Sequence, residues 1–368
     1  MSIQTKKRIG IDCRLAGVEN AGIGRYIEEL VRRVIQDERF EWILFLSRKN
    51  QLDWLTPRDG VKIVIANTRH YTLREQVFMP KVFAKEELDL LHVPHFNVPL
   101  LYKGPFVTTI HDLLWHEQRG SRVTTLSPLM YTLKYGAYRL TTSKAATKAA
   151  AIIVPTKSIS KTIQKLLPKV DGKKIHVTYE GVDEKWFNSA TSRGQAEKIL
   201  FYTGSLYPHK NVLLVAKALQ QLPEYTLCIS SSRSVFLKKF LKETVDLGVR
   251  ERVRYLGHLS DNELRRWYGR SFALVQPSFS EGFGLTGLEA MAAELPVLAS
   301  DIPVFTEIYD GACESFDPKS LESFVTSLHK LEKADKEKVV KKGIAQAKKF
   351  SWDKMVKETI DVYEGALK

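Results

Sequence analysis

The stretch Ser278 to Glu294, Ser-Phe-Ser-Glu-Gly-Phe-Gly-Leu-Thr-Gly-Leu-Glu-Ala-Met-Ala-Ala-Glu, constrains this chain more than any other. An apolar run, Phe272-Ala273-Leu274-Val275, precedes it and ends at Gln276-Pro277, which reads as a buried strand. Strong helix formers, Leu288 to Ala293, follow it. Between them Gly282 and Gly284 flank Phe283 in a loop whose backbone can approach a ligand closely. Strand, glycine loop and helix form the joint of an open α/β sheet. Such sheets bind ligands at the carboxyl ends of their strands, where the first N–H groups of a helix have no internal partner. Glu281 falls on the loop and Glu289 in the first turn of the expected helix.

The same alternation runs through the chain twice. Arg8 to Asp12 is a strand, Gly17 to Gly24 a loop, and Tyr26, Ile27, Leu30, Val31 and Val34 mark one face of a helix. Further strands are expected at residues 41–47, 61–66, 88–93, 106–110, 151–155 and 175–179. The small polar run Asn188 to Gly194 reads as a linker. A second series then starts at Lys198 to Tyr202, with its first loop at Thr203 to Asn211. The expectation is an α/β chain of two doubly wound, Rossmann-like domains facing a cleft. They cover residues 1–186 and 187–350, with a last helix in 351–368 whose apolar positions Met355, Val356, Thr359, Ile360, Val362 and Tyr363 recur at helical spacing.

With 368 residues, there is material for two such domains. Three scattered cysteines, Cys13, Cys228 and Cys313, suit a reducing cytosol and argue against a disulfide framework or a zinc site. No apolar run is long enough to span a bilayer, and the polar, basic start does not read as a signal peptide. The net charge of +14 draws the chain to polyanions: nucleic acid, an anionic membrane surface or a phosphate-rich substrate.

Several residues carry candidate chemistry. Lys210 lies where a loop enters a helix, and a cation there can hold a diphosphate. Glu281 can accept hydrogen bonds from sugar hydroxyls, and Glu289 can accept a ribose diol. Two readings of Glu289 stay open, because Thr286-Gly287-Leu288-Glu289 also has the spacing of a capping box. Gly22-Ile23-Gly24 opens a helix but lacks the third glycine of the dinucleotide fingerprint, which argues against an oxidoreductase. His92 and His95 read as cleft-lining or structural histidines rather than zinc ligands. His111 ends a buried strand, and Asp112 either lines the same edge or caps the next helix. A helix over Ser127 to Ala150 interleaves Lys134, Arg139, Lys144 and Lys148 with Tyr131, Tyr135 and Tyr138. It reads either as a solvated basic face or as a surface for anionic lipid.

Two glutamates separated by Gly-Phe-Gly-Leu-Thr-Gly-Leu, continued by Ala290-Met291-Ala292 and Pro296 to Ser300, resemble the signature of the retaining glycosyltransferase family with the GT-B fold. So do Gly22 to Tyr26, His111-Asp112, Pro155 to Ser158, Tyr179 to Asp183, Pro208-His209-Lys210-Asn211 and Phe350-Ser351-Trp352, all in family order. The resemblance is of the family 4, mannosyltransferase-like type and runs from Ile9 to Leu367. It implies that Glu281 contacts the donor sugar and that Glu289 binds the ribose. Backbone amides of Gly282, Phe283, Gly284 and Leu285 would hold sugar hydroxyls and phosphate. Lys210 would neutralise the leaving diphosphate, with Gly22 and Gly24 closing over it, Ser205 beside it, and Leu259 and Asp261 by the base. His111 and Asp112 would lie on the acceptor side, in an N-terminal acceptor-binding domain to which the last helix returns.

The chain departs from the pattern at Ser205, where many relatives carry an arginine, so that this charge is either missing or supplied elsewhere, for instance by Arg25 or Arg233, and at Thr286 and Glu294. What the resemblance implies is a metal-independent transfer, with no cofactor, of a hexose from a nucleotide-diphosphate sugar, GDP-mannose before UDP-glucose or UDP-N-acetylglucosamine. The acceptor would be a glycan or a polyprenyl or other lipid-linked sugar. The protein would be cytoplasmic, and peripheral at the inner face of the cell membrane if the basic helix meets anionic lipid. A polyanion-binding protein with degenerate nucleotide sites is the competing class. It accounts for the charge but not for the glutamates and glycines, so no specific nucleic acid is expected.

Overall fold

The computed structural model describes residues 6–17, 20–49, 51–55, 58–117, 127–187, 196–232 and 235–368. The expected linker at 188–194 and Arg233 lie outside the described residues. Residues Met1–Glu180 with Trp352–Lys368 form one compact unit, and Gly181–Ser351 a second.

The first unit is a parallel sheet of β1 (Lys7–Asp12), β2 (Phe40–Leu46), β3 (Val61–Ile65), β4 (Leu90–Val93), β5 (Phe106–Thr109), β6 (Ala151–Val154) and β7 (Ile175–Val177). Its order is β3-β2-β1-β4-β5-β6-β7. The central strands β4, β5 and β6 are buried at every position, as strands covered on both faces must be. The helices are α1 (Ala21–Val34), α2 (Leu73–Lys85), α3 (Leu114–Glu117), α4 (Pro128–Lys148) and α5 (Lys157–Leu166). α1 starts earlier than its apolar stripe suggests, so Gly22 and Gly24 lie in its first turn rather than on a loop. Gly24 has to be glycine, because a Cβ there would meet the Gly17 carbonyl oxygen at 2.0 Å, whereas a Cβ on Gly22 would meet nothing within 4 Å. Helix α2 has no strong sequence signal, because Pro80 stands inside it. Buried Glu75, Met79 and Phe83 hold it in place across the proline.

The second unit repeats the plan with β8 (Ile199–Thr203), β9 (Thr226–Ser230), β10 (Val253–Gly257), β11 (Ala273–Gln276), β12 (Val297–Ser300) and β13 (Glu314–Phe316). Its order is β10-β9-β8-β11-β12-β13, and every pair is parallel. Helices α6 (Val212–Ala218), α7 (Leu237–Asp246), α8 (Asp261–Arg270), α9 (Leu285–Ala292), α10 (Pro303–Tyr309), α11 (Leu321–Lys333) and α12 (Lys336–Ala347) cover it. The turn Glu184–Trp186 belongs here: Trp186 is buried with its ring 5.7 Å from that of Tyr268, and the Val182 N–H donates to the Phe350 carbonyl at 3.2 Å.

The last helix, α13 (Trp352–Ala366), packs in the first unit against α1. It buries Trp352, Met355, Val356, Thr359, Ile360, Val362 and Tyr363, the stripe its spacing predicts. Tyr363 is pinned by a buried polar chain. His92 Nδ1 lies 2.6 Å from the Tyr363 hydroxyl, and its Nε2 lies 2.8 Å from Thr109 Oγ1. Burial, reinforced by His111, pushes the His92 pKa down to about 3, so the ring is neutral. One ring nitrogen therefore donates and the other accepts, and the ring links Tyr363 to Thr109. Tyr363→Phe leaves Nδ1 buried without its hydrogen-bond partner and is expected to cost about 1–2 kcal/mol, read as a lower urea midpoint at an unchanged m-value.

Candidate donor site

In each sheet the strand order reverses once, and ligands of open α/β sheets bind beside that reversal. In the second unit it falls between β8 and β11, which pair through Leu274 and Phe201. The loops leaving these two strands carry Lys210 and Glu281, so topology brings together residues 71 positions apart. Lys210 Nζ lies 2.7 Å from each carboxylate oxygen of Glu281, and the Ser278 hydroxyl donates to Oε1 at 2.7 Å. A backbone bond from Phe279 N–H to the His209 carbonyl, 2.8 Å, sews the two loops together. Lys210 closes a short 3-10 turn, Pro208–Lys210, and Asn211 follows in the left-handed conformation at φ 54°. The Asn211 amide donates sideways to the Pro318 carbonyl at 2.8 Å and does not cap α6.

The pair is largely shielded, with side-chain exposures of 21% for Lys210 and 16% for Glu281. Burial works to raise the Glu281 pKa, but the charge and hydrogen bonds of Lys210, joined by Ser278, outweigh it and hold the carboxyl below its usual range. Burial, reinforced by Lys210, pushes His209 down to about 4.

The loop after Glu281 is held from below by residues that sequence reasoning missed. Gly284 adopts φ 103° just ahead of α9. The Tyr309 hydroxyl lies within hydrogen-bond reach of both the Gly284 carbonyl, at 2.8 Å, and Gln276 Oε1, sharing its one hydrogen between them, while Gln276 Nε2 donates to Thr286 Oγ1 at 2.8 Å. A Cβ on Gly284 or Gly287 would meet the Tyr309 hydroxyl at 2.6 or 2.2 Å. Gly284 and Gly287, two of the three glycines between the glutamates, therefore make room for this buried phenol. Gln276, a polar residue ending an apolar strand, was the one available signal. Tyr309 sits on α10, whose short apolar stretch has no distinctive pattern.

Of the two readings left open for Glu289, the capping box is not formed. α9 begins at Leu285, so Thr286 is inside the helix, bonded to Gln276, and Glu289 opens the second turn rather than the first. Gly284 is the cap residue, because only a residue at ease with positive φ fits beneath Tyr309. Glu289 is buried, 3% exposed. The amides of Leu285 and Thr286 stand at the helix start, where no intrahelical carbonyl can receive them.

The remaining second-unit residues lie beyond the carboxyl ends of β8 and β10. Ser205 follows Gly204, at φ 145°, in a turn closed by the Tyr202 hydroxyl donating to the Ser205 carbonyl at 2.7 Å. Leu259 is half-buried after β10, and Asp261 opens α8 with its carboxylate 2.8 Å from Lys185 Nζ. The true cap of α8 is Ser260, in a reciprocal box with Glu263. In the first unit, His111 is buried, with Nε2 3.2 Å from the Pro94 carbonyl and Nδ1 3.5 Å from Glu180. Asp112 accepts the Leu114 N–H at 3.1 Å and so caps α3. Gly22 and Gly24 belong to that unit too. Among the described residues no group of three or more His, Cys, Asp or Glu is placed to hold a metal ion.

Residues 183–350 match the family Glycosyl transferases group 1, and residues 21–186 match Glycosyltransferase Family 4. The two matches together cover residues 21–350, so the chain resembles glycosyltransferases along most of its length, and its fold is GT-B. It is 32% identical over 179 residues to the O-antigen chain mannosyltransferase RfbU of Salmonella typhimurium, 48% of this chain and 50% of that one. It is 35% identical over 173 residues to O-antigen chain mannosyltransferase B of Escherichia coli, 44% of this chain and 45% of that one. The matches thus span about half the length of these curated relatives. Among solved structures, Anabaena Alr3699/HepE in complex with UDP and glucose is similar in fold, with TM-score 0.73 and 16% identity over 98% of this chain and 100% of that one.

Lys210→Met leaves Glu281 shielded without its cation and is expected to destabilise the second unit by about 1–3 kcal/mol at neutral pH. Because the folded-state pKa of Glu281 is lowered, the wild-type advantage is full above the ordinary glutamate value and is lost as pH falls through the depressed one. Paired thermal melts from pH 7 downwards are expected to converge in the acid range. Tyr309→Phe removes the donor to Gln276 and Gly284 and is expected to cost about 1–3 kcal/mol, measured by denaturant unfolding.

Proposed function

We propose that the protein is a retaining hexosyltransferase that binds a nucleotide-diphosphate sugar at the β8/β11 reversal of its second unit. The observation that carries this reading is the bidentate Lys210–Glu281 pair beside the opening of α9. When donor arrives, its diphosphate takes Lys210 together with the amides of Gly284 and Leu285, and Glu281 turns to the sugar hydroxyls. Gly282 and Phe283 lend backbone to the same sugar, Ser205 lines the phosphate, Glu289 takes the ribose, and Leu259 and Asp261 flank the base. Breaking the glycosyl–phosphate bond builds positive charge on the ring and negative charge on the leaving diphosphate. A fixed ammonium and oriented N–H groups stabilise the second in a shielded site. That supplies the leaving-group charge without a divalent metal or other cofactor. The departing phosphate then helps to deprotonate the acceptor, which attacks the same face. His111 and Asp112 serve the acceptor side in the first unit.

GDP-mannose is the favoured donor, supported by the names of the two O-antigen mannosyltransferase relatives. A UDP-hexose is the second reading, supported by the Anabaena protein solved with UDP and glucose. The acceptor is a glycan or a polyprenyl-linked sugar. No described helix is long and apolar enough to cross a membrane. However, α4 exposes Leu129, Met130, Leu133 and Leu140 beside Lys134, Arg139 and Lys144, a face suited to the edge of an anionic bilayer.

Thermal shift against GDP, UDP and their hexose conjugates tests the donor, and stabilisation by none of them sinks the reading. Glu281→Gln gives a sharper check. It frees Lys210 for phosphate, so the nucleoside diphosphate alone is expected to bind about tenfold tighter by calorimetry while sugar transfer is lost.

A further inference from the structure

The first unit reverses its strand order between β1 and β4, which pair through Ile11 and His92. At the carboxyl end of β1 lies a buried ionic cluster that the donor chemistry does not use. Arg14 donates from Nε and Nη2 to the two oxygens of Asp12, at 2.8 and 2.6 Å. Its Nη2 also reaches Glu75 Oε1 at 2.9 Å, and Nη1 donates to the Thr68 carbonyl at 3.0 Å. Both side chains of the Arg14–Glu75 pair are fully buried. Glu75 Oε2 accepts the Asn97 amide at 2.8 Å and the backbone N–H of Tyr71 at 2.7 Å, and His70 Nδ1 stands 3.1 Å from Oε1.

This cluster fixes one residue in an unusual conformation. Tyr71 has φ 61°, the left-handed region that a bulky side chain avoids. Core packing does not explain it, since Tyr71 is 61% exposed. Glu75 stands three residues after Thr72, which caps α2 through its hydroxyl, and a capping-box glutamate would reach back to the Thr72 N–H. Here it reaches one residue further, to Tyr71. The ring of Tyr71 then meets His95 edge to face, with centroids 5.9 Å apart and the hydroxyl 3.3 Å from Nε2. His95 is buried, and its neighbour Pro94 holds His111 through a carbonyl at 3.2 Å. Tyr71, His95 and His111 thus follow one another along the carboxyl edge of the sheet. A strained residue that its surroundings over-determine is a pointer to a binding role.

We propose that Tyr71 is the aromatic platform of a sugar-ring subsite, held by Glu75 and flanked by His95, that receives a pyranose unit of the glycan acceptor. An exposed phenol offers an apolar face to the C–H face of a pyranose and a hydroxyl at its edge. The proposal rests on the acceptor side of the reading above, and it names the residue and the ligand class.

The test uses full-length protein and a panel of methyl glycopyranosides of mannose, glucose, galactose and N-acetylglucosamine, with contact read by saturation-transfer NMR. Tyr71→Asn removes the ring but keeps a residue that tolerates the left-handed region, so the melting temperature is expected to stay at the wild-type value. Tyr71→Phe keeps the ring. Ring-proton saturation of at least one glycoside is expected in the wild type and in Tyr71→Phe, weakened about tenfold in Tyr71→Asn. Equal saturation in Tyr71→Asn, or none in the wild type, overturns the proposal. Thermal shifts with GDP and UDP on the same samples report the donor reading separately: nucleotide stabilisation without glycoside contact sinks the subsite alone, and glycoside contact without nucleotide stabilisation sinks the donor reading alone.

Discussion

The bond between Lys210 and Glu281 is the interaction on which the second unit is arranged. It spans the two loops that leave β8 and β11, and those strands are neighbours because the strand order reverses between them. A cation and a carboxylate held this way satisfy each other, which keeps a shielded carboxylate charged in the ligand-free chain. In the function proposed above, they are also the pair that a phosphate and a hydroxylated ring divide between themselves. On that proposal a single ion pair both stabilises the loops and supplies the two recognition groups.

That arrangement is supported by a buried phenol. Tyr309 holds the Gly284 carbonyl and Gln276, and Gln276 holds Thr286. The Tyr309 hydroxyl leaves no room for a side chain on Gly284 or Gly287. The glycines between the two glutamates thus serve packing beneath the loop as much as closeness above it. Thr286, which looked like a helix cap, is a partner of the strut. The cap moves to Gly284, and Glu289 is relieved of the capping role.

The first unit uses its own strand reversal differently. Its charged groups, Asp12, Arg14 and Glu75, are matched internally and buried, and burial keeps His92 and His95 neutral, with pKa values near about 3. The second unit pairs a lysine with a glutamate, whereas the first exposes one ring, Tyr71, against the buried rings of His95 and His111. Phosphate recognition needs charge, and recognition of a neutral sugar needs shape and hydrogen bonds. The two edges differ in the same sense.

Local pattern determined a good deal by itself. Apolar runs such as Leu274-Val275 and Ile152-Ile153 require strands buried on both faces, and the stripe from Met355 to Tyr363 requires an amphipathic helix. The glycine loop between β11 and α9 was legible because only glycine meets its backbone demands. Helix α2 was not, since Pro80 interrupts its pattern while its support comes from buried contacts. Nor were Tyr309, the Arg14–Glu75 cluster or the left-handed Tyr71, because each depends on partners distant in the chain. Only the tertiary structure could pair Lys210 with Glu281: residue spacing describes one strand and its loop, but a bond between two loops is decided by which strands lie side by side.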